Sequence, residues 1–99
     1  MPKGYVIVEL DVTDPEAFEE YRALSGPAAA ANGATYLARG GAAELLEGTG
    51  DPKRVVLLEF ADADAARAWY DSDEYTAARA AREGAATGRF VLVEGCDPT

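Results

Sequence analysis

The run Val55-Val56-Leu57-Leu58, closed by Glu59 and Phe60, constrains this chain more than any other stretch. A strand with one wet face alternates apolar and polar residues, so a short unbroken apolar run demands cover on both faces. Its length and β-branched residues make Arg54–Phe60 a strand rather than a helix. Val56, Leu58 and Phe60 then share one face, and Val55, Leu57 and Glu59 share the other. Something must cover that second face, and Glu59 points into it.

The segment after the run reads as a helix, a break and a second helix. Asp62 or Asp64 caps the first helix, because a short carboxylate accepts from the free N–H groups at a helix start. Trp69 and Tyr70 lie near its end. Ser72 then opens another helix, with Asp73 and Glu74 facing the positive end of its dipole. Tyr75, Ala78 and Arg82 share one side of that helix, with Arg79 beside them.

The rest of the chain supplies three further strands and one helix. Gly4–Val12 is a strand with Val6, Val8, Leu10 and Val12 on one face and Tyr5, Ile7, Glu9 and Asp11 on the other. Thr13, Asp14 and Pro15 stop it and start a helix whose buried stripe is Ala17, Phe18, Tyr21 and Leu24. Ser25-Gly26-Pro27 interrupts that helix, Ala28–Ala31 adds a turn, and Asn32-Gly33 ends it. Residues 34–48 read as two strand pieces, ATYLARGG and AAELLEG, with a bulge or tight bend at Gly40-Gly41. Thr49–Pro52 is a turn, residues 83–88 are a small-residue connection, and Arg89–Gly95 is the last strand. Asp97, Pro98 and Thr99 form a loose tail.

The order is therefore β-α-β-β-α-β, the ferredoxin-like arrangement: an α+β sandwich with a four-stranded antiparallel sheet and helices on one face. The 99 residues make a single domain, 1–99. The other sheet face carries Ile7, Val55, Leu57 and one of the two sets within Phe90–Val93. An apolar patch of that kind marks an interface, and two sheets packed face to face in a symmetric homodimer cover it.

Composition narrows the chemistry. With 18 acids against 9 lysines and arginines and a net charge of −9, the chain lacks the basic footprint that nucleic acid requires. It contains no histidine, which excludes His-based triads, His metal ligation and His-ligated haem. Cys96 is the one cysteine, so no internal disulfide forms. No apolar run approaches the roughly 20 residues of a membrane span, and the N-terminus lacks a signal peptide's apolar region. The expectation is a cytoplasmic protein with no cofactor, no metal, no nucleic-acid partner and no membrane partner.

The segments GYVIVELDVTDPEAFEEY, ATYLARGGAAELLEG, RVVLLEFADADAARAWYDSDEYTAARAAR and VLVEG resemble the DUF1330 family of small bacterial proteins, a branch of the dimeric α+β barrel superfamily. The most specific pieces are YLARGG and AWYDSDEY. The family often has proline where this chain has Asp73. The resemblance implies a ferredoxin-like protomer and a homodimer, but no reaction. The wider superfamily includes cofactor-independent monooxygenases, lactone isomerases and haem enzymes, with ligands held between sheet and helices or inside the barrel.

Six residues are the ligand-binding candidates: Arg39, Glu59, Trp69, Tyr75, Tyr21 and Arg82. Arg39 and Glu59 end apolar strands, where a charge is costly unless paired. They either line a cavity under the helices, with Arg39 gripping an acidic or carbonyl group, or form a buried bridge that fixes register. Trp69, Tyr70, Tyr75 and Tyr21 wall either a pocket or a plain core. Arg79 and Arg82 either hold an anion or bridge to Glu83 or Asp73. Ser72 reads as a cap, not a nucleophile, since no histidine activates it. Glu9, Glu59 and Glu94 are placed to share one face. No catalytic residue is assigned. The functional expectation is a homodimer that binds a small acidic or carbonyl-bearing metabolite, as a cofactor-independent isomerase or monooxygenase. The alternative is a non-catalytic binding, regulatory or structural dimer.

Overall fold

The computed structural model describes residues 2–96, so the expected tail at 97–99 lies outside the described residues. The elements are β1 (Gly4–Val12), α1 (Pro15–Ala31), β2 (Thr35–Arg39), β3 (Arg54–Phe60), α2 (Ala63–Asp71), α3 (Asp73–Arg82) and β4 (Ala86–Glu94). The four strands form one antiparallel sheet in the order β2-β3-β1-β4, with the helices on one face. This is the ferredoxin-like fold read from the sequence, with its second helix split in two at Ser72.

The period-2 reading of the two central strands holds. Val6, Val8 and Leu10 of β1 and Val56, Leu58 and Phe60 of β3 are buried under the helices. Tyr5, Ile7 and Glu9 pair across the sheet with Glu59, Leu57 and Val55, so these six share the opposite face. Val91 and Val93 join them from β4, opposite Ile7 and Tyr5. Phe90 and Leu92 turn the other way and pack against the core. Glu94 pairs with Gly4, on the helix-side register, so it does not share the face of Glu9 and Glu59 as expected.

Capping sets the helix starts. Asp14 accepts from Ala17 N at 3.1 Å, Asp62 from Ala65 N at 2.7 Å, and Ser72 from Tyr75 N at 3.1 Å. Each satisfies a backbone donor that has no partner within its own helix. Gly33, at φ 74°, ends α1 as expected.

Several expectations are corrected. Helix α1 runs unbroken through Ser25-Gly26-Pro27. Pro27 removes one backbone donor, but Ala28 and Ala29 beyond it are buried in the core, and that packing overrides the local preference of proline. Leu24 is exposed and Ser25 takes the buried position. The second strand piece, AAELLEG, is not a strand: residues 41–46 have no regular structure, and Leu46 is 87% exposed. The bulge lies between Tyr36 and Ala38, not at Gly40-Gly41. Strand β4 begins at Ala86, three residues before Arg89, because Ala86–Gly88 pair with Val12–Leu10 along β1.

Candidate functional site

The largest side chains of the helices gather into one aromatic cluster. Trp69 packs on Tyr75 with ring centroids 4.2 Å apart and on Phe60 at 5.3 Å. Tyr70 lies 5.8 Å from Tyr75 and 6.0 Å from Phe90. The Tyr21 and Tyr75 hydroxyls, from α1 and α3, share a buried hydrogen bond of 2.7 Å. Loss of hydration pushes both phenols above their ordinary value, Tyr75 far above it. The mutual bond works on them in opposite directions, lowering Tyr21 and raising Tyr75, and the nearby positive charge of Arg82 holds both down somewhat.

Two spaces open around this cluster. The first is a narrow cavity of about 30 Å³ between α1 and the sheet, lined in part by Tyr21, Ser25, Arg39, Arg54, Trp69 and Tyr75. It has room for a water molecule or two. The second is a pocket of about 330 Å³ beside α2 and the β1–β4 pair, lined by Val6, Ala66, Arg67, Trp69, Tyr70, Asp71, Phe90 and Leu92. Trp69 and Phe90 border both spaces. The indole Nε1 of Trp69 is buried with no hydrogen-bond partner among the described residues.

Four sequence-derived candidates, Arg39, Trp69, Tyr75 and Tyr21, therefore line the same narrow cavity. Arg39 stands over the Tyr36 ring at 4.3 Å. Arg54, which sequence reasoning did not single out, joins it; its guanidinium lies 5.7 Å from the Phe18 ring. Arg54 also abuts Gly40, whose φ of 69° and lack of a side chain let the strand end beside it.

Glu59 is not part of this site, and it forms no bridge with Arg39. It sits on the far sheet face, where it accepts from Lys3 Nζ at 3.2 Å and from the Tyr5 hydroxyl at 3.1 Å. That hydrogen bond is the main reason the Tyr5 phenol is raised. The cause of the separation is the β2 bulge. Thr35 pairs with Glu59, but after the inserted residue Arg39 pairs with Val56 on the helix side.

Arg79 and Arg82 do not bridge to Glu83 or Asp73. Among the described residues the ion pairs are Lys3–Glu59, Arg22–Glu19 and Arg67–Asp64. Arg79 lies over the Tyr70 ring at 4.4 Å, and Arg82 over Phe90 at 4.5 Å. Ser72 is a cap, as expected; its hydroxyl also donates to Trp69 O at 2.7 Å, so it links α2 to α3.

A model of domain of unknown function DUF1330 matches residues 3–96. The chain belongs to the DUF1330 family. No curated protein sequence matches this DUF1330 chain. Solved structures share its fold. RPA0582, a protein of unknown function from Rhodopseudomonas palustris, superimposes with a TM-score of 0.76 at 18% identity, covering 98% of this chain and 85% of that one. SnoaB, a cofactor-independent oxygenase from Streptomyces nogalater, gives 0.66 at 16% identity, covering 99% and 97%. A dimeric ferredoxin-like protein of unknown function from Thermobifida fusca gives 0.63 at 19% identity, covering 94% and 91%. At these identities the likeness is one of fold. Among the described residues of the DUF1330 chain, no helix is long and apolar enough to cross a membrane, and no three Cys, Asp or Glu side chains converge as metal ligands.

Proposed function

We propose that this protein is a homodimer that binds a small, flat, largely apolar metabolite carrying an acidic or carbonyl group, in the pocket walled by Trp69, Tyr70 and Phe90. The observation that carries this reading is the buried indole N–H of Trp69, unpartnered among the described residues, on a side chain that lines a space of about 330 Å³. A buried donor without an acceptor is costly, and a ligand carbonyl or carboxylate oxygen supplies one. The volume lies within the range of small-molecule pockets, roughly 300–1,000 Å³, and the lining matches them in kind: aromatic walls and few polar groups.

The catalytic form of this reading is cofactor-independent chemistry on such a ligand, the class named for SnoaB. One observation favours the non-catalytic form. Burial holds Tyr21 and Tyr75 in their protonated state, so neither serves as a general base near neutral pH.

Trp69 is the chain's one tryptophan, so its fluorescence reports on the pocket directly. Titration with 1-naphthoate and 1-naphthol, followed by fluorescence and by heat, gives saturable binding that Leu92→Trp, read by heat, removes by filling the space. The absence of saturable binding of either compound to the wild type overturns the reading. Oxygen uptake that depends on the bound naphthol separates the catalytic form from binding alone.

A further inference from the structure

A third space lies along α3. It measures about 370 Å³ and is lined by Tyr70, Thr76, Arg79, Ala80, Arg82 and Glu83. We propose that Arg79 and Arg82 make this cleft a binding site for a phosphate-type oxyanion.

The chain carries twice as many acids as lysines and arginines, yet these two neighbouring guanidinium groups have no carboxylate partner among the described residues. In so acidic a protein, two adjacent cations outside any ion pair concentrate positive potential in one place. Both are held by aromatic faces: Arg79 on Tyr70 at 4.4 Å, and Arg82 on Phe90 at 4.5 Å and Tyr21 at 5.5 Å. Stacking fixes the planar fork before any ligand arrives, which reduces the ordering cost of binding. The Nη1 of Arg82 is buried without a partner among the described residues.

Arg79 and Arg82 stand in the last turn of α3, where they suit its dipole, but two of its end carbonyls do not need them as donors. Glu83 N donates to Ala80 O, and Ala85 N to Arg82 O, so backbone N–H groups already serve those carbonyls. Two guanidinium forks present more donors than the two oxygens of a monocarboxylate can take, whereas a tetrahedral oxyanion has oxygens for both; Glu83, which lines the same cleft, offsets part of their charge. Thr76 adds a neutral hydroxyl to the lining. The cleft shares Tyr70 with the aromatic pocket, but its cations, Arg79 and Arg82, do not line that pocket.

The test is phosphorus-31 NMR of inorganic phosphate titrated with the whole protein at constant ionic strength set by chloride. Saturable broadening is expected with the wild type. Arg79→Gln, a change at the surface that leaves the core intact, weakens it about tenfold, the loss of one charge-assisted contact. Arg82→Lys weakens it while keeping the charge, since lysine lacks the planar fork. Leu92→Trp leaves it unchanged, so failure here and failure of the pocket reading are distinguishable. The absence of broadening beyond the chloride control, or equal broadening by wild type and Arg79→Gln, overturns the proposal.

Discussion

The hydroxyls of Tyr21 and Tyr75 lie 2.7 Å apart, on α1 and α3, and Tyr75 is fully buried. This bond links the two helices through a polar contact inside the core. Tyr21→Phe or Tyr75→Phe leaves the surviving hydroxyl buried without its partner, at a cost of about 1–3 kcal/mol. The double variant removes both hydroxyls, so its cost falls below the sum of the singles. Urea denaturation of the four proteins measures this coupling, and strict additivity contradicts it.

The same pair makes stability sensitive to alkali. Both phenols have folded values above the ordinary 10.0, chiefly through burial. Above that ordinary value the unfolded chain releases these protons while the folded chain keeps them, so the unfolded state binds fewer protons. Stability is therefore fully present below pH 10 and falls as pH rises beyond it. Denaturation at pH 8, 9 and 11 is expected to give equal midpoints for the first two and a lower third. In Tyr21→Phe/Tyr75→Phe the loss between pH 9 and 11 shrinks.

Ser72 joins two helices through one oxygen, which accepts from Tyr75 N at 3.1 Å and donates to Trp69 O at 2.7 Å. Ser72→Ala uncaps α3 and lowers stability by about 0.5–2 kcal/mol. Ser72→Asp restores the acceptor and recovers part of that loss. Thermal unfolding checks both. An unchanged midpoint in Ser72→Ala denies the cap its role.

The faces of β1 and β3 were legible because alternation in the chain becomes alternation across the sheet, and no irregularity intervenes. The expected meeting of Arg39 with Glu59 failed on one residue. Strict alternation from Thr35 puts residues 35, 37 and 39 on the face of Glu59, and the bulge between Tyr36 and Ala38 reverses the last of them. Nothing in TYLAR marks that insertion. The start of β4 was missed for another reason: Ala86-Thr87-Gly88 carries no apolar pattern and is held by its register with β1. The aromatic members of the site were readable as residues. The division of space around Trp69 depends on how side chains from α2 and β4 meet, which periodicity does not encode.

The open sheet face gives the last prediction. Ile7 sits at its centre, paired with Leu57 on one side and Val91 on the other, and it is 43% exposed in the protomer. Val93 is exposed nearby, and Glu9 lies opposite Arg89 at one end of the patch. An apolar centre with a charged rim suits a second copy of the same surface, in which Glu9 of one copy can meet Arg89 of the other across a two-fold axis. Ile7→Lys puts a charge at the middle of that surface without touching the protomer's own core, which lies on the other face. Sedimentation velocity is expected to show a dimer for the wild type and a folded monomer for Ile7→Lys, with unchanged far-ultraviolet circular dichroism. A wild-type monomer, or an Ile7→Lys protein that sediments as the wild type does, removes this face as the dimer interface.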